Sequence, residues 1–118
     1  MTVETDIVAA LTSLVGGRVY PDVGPVGAVL PYITYQQIGG ASVNFLERGV
    51  PDKKNGRFQV NVWSTTRLQA ASINLLIETA LVTSTAFQAD AIGAPLATRD
   101  EETKFYGAAQ DFSIWSVR

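Results

Sequence analysis

Three consecutive carboxylates, Asp100, Glu101 and Glu102, are the side chains of this sequence that most resemble a cation-binding or proton-transferring group. Neighbouring residues on a strand or turn point in different directions, so these three are not expected to converge on one metal ion. The chain contains no histidine and no cysteine, which removes Ser–His–Asp and Cys–His nucleophiles and thiolate zinc sites. The sequence therefore predicts a protein that is not an enzyme and holds no metal or cofactor. An enzyme that uses carboxylates alone is the catalytic alternative.

The basic side chains are concentrated in one stretch, at Arg48, Lys53, Lys54 and Arg57. One interpretation is a solvated hairpin tip, and the functional alternative is a contact with the acidic surface of a partner. The formal net charge of the chain is −2, and the sequence shows no basic patch of the kind that nucleic-acid binders carry. Specific binding to nucleic acid is therefore not predicted.

Residues 57–64 alternate in polarity, which is typical of a β-strand with two different faces. The apolar side chains are expected to pack under a helix, and the opposite face then carries Gln59, Asn61 and Trp63. Trp115, on the last strand, is expected to add to the same patch if that strand pairs nearby. Two interpretations stay open: the tryptophans are covered by loops of the chain itself, or they anchor a partner, because desolvated tryptophans concentrate binding energy.

The elements that must position these side chains follow from the apolar spacing. Helices are expected over residues 5–15 and 67–83, and strands over residues 31–38, 57–64, 86–92 and 105–117. The second helix is apolar around more than one face, which indicates a helix at the centre of the core. Residues 18–30 are expected to form an extended loop, and Asn55-Gly56 is the strongest tight-turn signal.

The length of 118 residues and the 47% share of hydrophobic residues predict a single domain, 1–118. The order α-β-β-α-β-β predicts an α+β fold, in which an antiparallel four-stranded sheet carries both helices on one face. The long segment 41–56 between the first two strands is expected to be a loop or arm. The longest apolar stretch, residues 73–82, is interrupted by polar side chains and cannot span a bilayer, so a soluble intracellular protein is expected.

Four segments, taken in their order and spacing, carry a resemblance to a known family. They are residues 18–21 (Arg-Val-Tyr-Pro), 30–38 (Leu-Pro-Tyr-Ile-Thr-Tyr-Gln-Gln-Ile), 57–64 (Arg-Phe-Gln-Val-Asn-Val-Trp-Ser) with the helix after it, and 110–115 (Gln-Asp-Phe-Ser-Ile-Trp). The set resembles the tail completion, or tail-to-head joining, proteins of phages and prophages with long non-contractile tails. The resemblance covers nearly the whole chain.

This resemblance implies an α+β fold similar to that of tail terminators and a structural role in the virion. Such proteins form a six-membered ring at the head-proximal end of the tail tube, stop tube growth and offer a docking surface to the head connector. The expected partners are copies of the chain itself, the tail tube protein and the head connector protein. DNA is expected to pass through without specific binding, and no membrane is involved. The expected location is the virion tail, and the host cytoplasm during assembly.

Two hypotheses about sites extend this expectation. Asp100, Glu101 and Glu102 are candidates for an acidic lining of the ring, which would repel passing DNA. Residues 41–57 are a candidate arm that contacts the adjacent subunit or the tube. A function from another class also stays open: a small non-enzymatic, dimeric module that binds a protein or a ligand on the same sheet.

Overall fold

A computed structural model describes residues 2–40 and 53–117. Within these residues, a five-stranded mixed sheet in the order β1-β2-β3-β5-β4 carries two α-helices on one face. The elements in chain order are α1 (Val3–Leu11), followed by a 3₁₀ turn (Thr12–Leu14), then β1 (Val19–Pro21), β2 (Tyr32–Gly39), β3 (Lys53–Ser64), α2 (Arg67–Val82), β4 (Gln88–Arg99) and β5 (Tyr106–Val117). Neither described helix is long and apolar enough to cross a membrane.

The predicted four-stranded antiparallel sheet and the order α-β-β-α-β-β are wrong, because β1 adds a fifth strand in parallel to β2. β1 has only three residues and lies inside the segment predicted as a loop, and three residues are too few to show an alternating pattern. Pairing holds it in place: Val19 lies opposite Ile33, and the Ile33 amide donates to the Arg18 carbonyl at 2.9 Å. Arg18 Nε also donates to the Pro31 carbonyl at 2.9 Å.

The first helix begins at Val3, directly after its cap, Thr2, and two residues before the expected start at residue 5. The Thr5 amide donates to the Thr2 hydroxyl at 3.2 Å, which satisfies one of the free amides at the helix start. Gly16 and Gly17 follow the helical segment and end it, with φ angles of 58° and 87° in the left-handed region. The helix buries one side against the core, through Val3, Ile7 and Leu11.

The core lies between the helices and one face of the sheet. Phe58, Val60 and Val62 of β3 are fully buried there with Phe112 and Ile114 of β5, which confirms the predicted alternation along β3. α2 covers this face by burying Ala70, Ile73, Ile77 and Leu81.

The prediction that α2 lies at the centre of the core is wrong. The helix lies on the sheet as an outer layer, and its far side is exposed to solvent despite carrying Leu68, Leu75, Leu76 and Val82. The broad apolar surface of α2 therefore exceeds what the fold itself buries.

A buried polar network fixes α2 on the sheet. Asn74 Nδ2 donates to Gln110 Oε1 at 3.0 Å, and Gln110 Nε2 donates to Glu78 Oε1 and to the Gly93 carbonyl, each at 3.1 Å. Asn74 and Gln110 are both almost fully buried, so their hydrogen bonds offset a large desolvation cost. The network joins α2, β5 and β4.

Two turn signals lie inside strands. Asn55-Gly56 was expected to be a tight turn, but both residues belong to β3 and lie opposite Trp115 and Ile114 of β5. The segment containing Gly93 and Pro95 was expected to follow a strand that ends at residue 92. It is instead a bulge within β4, where the register shifts between Ile92 and Leu96. In both places, pairing with β5 overrides the local turn preference.

The predicted arm, residues 41–57, is described only in part. Residues 53–57 belong to β3, and residues 41–52 lie outside the described residues.

Candidate functional site

The sheet face opposite the helices, called the open face below, is the candidate site. Gln59, Asn61 and Trp63 lie on it as predicted, all of them half-buried. In the sheet register they lie between Gln36, Thr34 and Tyr32 of β2 and Asp111, Ala109 and Gly107 of β5. The central strand therefore presents an aromatic ring and two amides among aromatic, small and polar neighbours.

Trp63 is positioned by the absence of a side chain opposite it. A Cβ built on Gly107 would lie 2.8 Å from two ring carbons of Trp63 and 2.5 Å from Thr98 Oγ1. No real Cβ approaches other atoms this closely, so the indole packs over the bare backbone of β5. Gly107 thereby determines how Trp63 lies on the open face.

A loop of the chain covers part of the open face and leaves a cleft. The loop, residues 22–28, follows β1, and its Gly24 packs on the Tyr32 ring, where a Cβ would lie 2.5 Å from a ring carbon. Between this loop and the sheet is a cleft of about 460 Å³, lined in part by Tyr32, Trp63 and Phe105. Both interpretations of Trp63 have support: the chain covers it in part, and the remaining surface lines an open aromatic cleft.

The acidic turn lies at the rim of this cleft. Asp100 lines the cleft, and its carboxylate accepts a hydrogen bond from the Glu102 amide at 2.9 Å, while Glu101 lies 3.4 Å from Lys104 Nζ. Burial raises the pKa of the Tyr32 phenol, and the negative charge of Asp100 raises it further. Among residues 2–40 and 53–117, no three acidic side chains are grouped so that they could hold a metal ion.

Trp115 lies on the open face but not in the same patch as Trp63. It is opposite Asn55 of β3 and Gln88 of β4, whereas Trp63 is opposite Gly107, eight residues earlier on β5. At about 3.3 Å per residue, the two tryptophans are roughly 26 Å apart along the strand. Trp115 lines a separate cleft of about 290 Å³ with Lys53 and Phe87. The antiparallel register thus separates the two predicted anchors.

The predicted basic group does not form one cluster in the described residues. Arg57 is paired on the open face with Asp111, with 2.7 Å between Arg57 Nη2 and Asp111 Oδ2. Lys53 and Lys54 begin β3 and are exposed, and as neighbours on a strand they point to opposite faces. These three residues belong to a strand, so the hairpin-tip interpretation is wrong for them, and Arg48 lies outside the described residues.

The cleft contains residues that sequence reasoning missed. Tyr32 and Phe105 line it, and the 22–28 loop forms its outer wall. Tyr20 packs against Tyr32 edge to face, with the ring centroids 5.9 Å apart. The available signal was the pair of valines, Val23 and Val26, in a Gly- and Pro-rich segment directly before an aromatic strand.

Aromatic, amide and paired charged side chains line the open face. The family model described as tail completion protein gp17 matches residues 7–116 of this sequence. This match covers almost the whole chain, and the chain therefore belongs to this family of phage tail completion proteins. The predicted resemblance is confirmed, and the protein has a structural role in the phage tail. No curated protein sequence matches the chain.

Proposed function

We propose that this chain caps the head-proximal end of a tail tube as a six-membered ring, ends tube growth and joins the tail to the head connector. The observation that carries the proposal is the family match over residues 7–116. The partners are then copies of the chain itself, the tail tube protein and the head connector protein. The chain acts without catalysis in the virion tail, after assembly in the host cytoplasm.

The turn at Asp100, Glu101 and Glu102 is the candidate lining of the ring. Its residues lie at one end of the sheet, in the exposed connection between β4 and β5. Six copies of such a turn around a lumen would form an acidic collar, and like charge would keep passing DNA from binding. Residues 41–52, together with the start of β3, remain the candidate arm toward the adjacent subunit or the tube.

The second candidate function is a dimeric module that binds a small ligand or a peptide. The cleft beside Trp63 favours it, because about 460 Å³ falls within the range of small-molecule sites. On this alternative, Trp63 and Tyr32 contact a ligand instead of a virion protein.

Sedimentation velocity over a wide concentration series separates the two functions. The ring predicts a species of about 76 kDa, six times the 12.7 kDa of one chain. A dimer that does not grow at any concentration, together with saturable binding of a small ligand in the Trp63 cleft, would contradict the ring and support the module.

A further inference from the structure

β4 is a long strand at the edge of the sheet. It is the last strand of the order β1-β2-β3-β5-β4, and no strand among residues 2–40 and 53–117 pairs with its outer edge. Its twelve residues are nearly all exposed, and Asp90 and Arg99 are its only charged residues. Long, weakly charged edges are templates for pairing, which proteins normally prevent. The bulge around Gly93 interrupts this edge, but a regular stretch of strand remains before and after the bulge.

α2 presents an aliphatic stripe next to this edge. Leu68, Leu75 and Val82 recur every seven residues along one side of the helix and are 78%, 61% and 47% exposed. Glu78 lies one helical turn from both Leu75 and Val82, and it is the residue tied through the buried network to β4. The stripe therefore runs along the side of α2 that borders β4. The β4 edge and this stripe together are called the β4 side below.

The β4 side has the composition of one half of a stable protein interface. The twelve residues of β4 and the three of the stripe come to fifteen, which approaches the number on one side of a standard interface, about 20–30 residues. Leu96, 65% exposed, adds a further aliphatic side chain on β4. Few charges and exposed aliphatic side chains are what the centre of such an interface requires.

The opposite edge of the sheet carries a second exposed apolar surface. β1 forms that edge with three residues, and the loop that follows it exposes Val23, Val26 and Val29. β1 and these valines are called the β1 side below. Asp22 is the only charged residue between Val19 and Val29.

From this pair of surfaces we infer that the β4 side of one subunit contacts the β1 side of the next copy of the same chain. A two-fold dimer uses one surface on both partners and would leave the other apolar side exposed. A head-to-tail contact covers both sides, and repeating it about an axis closes a ring. The inference rests on the proposed function and deepens it, since it identifies the surfaces by which the ring subunits join.

Cysteine cross-linking tests the inference directly, because the natural chain contains no cysteine. Leu75→Cys places a thiol on the β4 side, and Val26→Cys places one on the β1 side, at a residue that is fully exposed. The two full-length variants are mixed and treated with a short bis-maleimide, and the rate of dimer formation is measured on denaturing gels. The mixture is expected to cross-link at least about tenfold faster than either variant alone, because contact raises the effective concentration of the two thiols.

The matched control is Leu76→Cys mixed with Val26→Cys. Leu76 is exposed on the same helix but is turned away from the stripe by a little more than a quarter turn. This mixture is expected to cross-link at the background rate. Equal rates for Leu75→Cys and Leu76→Cys, or fastest cross-linking of Leu75→Cys with itself, would overturn the inference. Circular dichroism confirms that each variant is folded.

The outcome for tails separates this inference from the proposed function. If the wild-type protein completes tails while the Leu75→Cys and Val26→Cys mixture does not cross-link, the inference fails and the proposed function stands. If the mixture cross-links as expected but the wild-type protein completes no tails, the contact is supported and the proposed function fails.

Discussion

The two faces of β3 show how one strand divides its residues between folding and contact. The even-numbered side chains, Phe58, Val60 and Val62, are fully buried under α2. The odd-numbered side chains, Gln59, Asn61 and Trp63, are half-buried on the open face, where a loop and a cleft share the surface. The covered face holds the fold together, and the open face has side chains that a partner can still contact. Changes on the two faces should therefore have different consequences.

The largest expected effect is on the covered face. Phe58→Ala removes a fully buried ring from the core and is expected to lower the free energy of unfolding by about 3–5 kcal/mol. The matched control, Gln59→Ala, changes the next residue on the open face and is expected to stay within about 0.5 kcal/mol of wild type. Urea denaturation measures both. A similar loss of unfolding free energy in the two variants would contradict the proposed difference between the covered face and the open face.

The buried network between α2 and the sheet should give the next largest effect. Gln110→Leu leaves Asn74 and Glu78 without their hydrogen-bond partner and is expected to cost about 2–3 kcal/mol of stability. Adding Asn74→Leu should recover part of that loss, because a buried apolar pair leaves fewer unsatisfied groups. Strictly additive losses in the double variant would show that the two amides do not act together.

The position of Trp63 on the open face can be disturbed through the glycine beneath it. Gly107→Ala places a methyl group against the indole and Thr98 and is expected to cost about 1–3 kcal/mol. In a Trp115→Phe background, the fluorescence comes from Trp63 alone and should shift to longer wavelength. In the same background, Ser113→Ala on the same strand is the control and should leave the spectrum unchanged.

The smallest expected effect concerns the acidic turn. Asp100→Asn is expected to lower the pKa of Tyr32, since it removes a negative charge that favours the neutral phenol. The phenolate absorbance of the wild-type and variant proteins measures this shift, and Glu102→Gln is the matched control that should not move it. The pKa of Tyr32 is raised in the folded state, so the contribution of this phenol to the free energy of unfolding is complete below the ordinary tyrosine pKa. That contribution is lost as the pH rises through the folded-state pKa. An unchanged Tyr32 titration in Asp100→Asn would show that the charge of the acidic turn does not act on the cleft.

The sequence predicted the parts of the fold that repeat a pattern over many residues. The alternation in residues 57–64 located the central strand and its two faces, and the long apolar helix was located to within one residue of its end. The expected end of the first helix at residue 15 lies one residue beyond the last helical residue, Leu14.

The errors occurred where tertiary pairing outweighs local preference. β1 is too short to show a period and exists because it pairs with β2. Asn55-Gly56 and the bulge at Gly93 look like turns in isolation, but pairing with β5 holds both in strands. The cleft beside Trp63 was missed for the same reason, since it depends on where the 22–28 loop folds back. The alternating pattern of the last strand indicated the face on which Trp115 lies. Its distance from Trp63 follows only from the register of β3 with β5.

The most direct test of the proposed cap is electron microscopy of phage particles made with and without this protein. With it, the proposal predicts tails of uniform length that end in a ring of six subunits and are joined to heads. Without it, it predicts unjoined heads and tubes of uneven length, and adding the purified wild-type protein should restore joining. Uniform tails joined to heads in the absence of the protein would contradict the account.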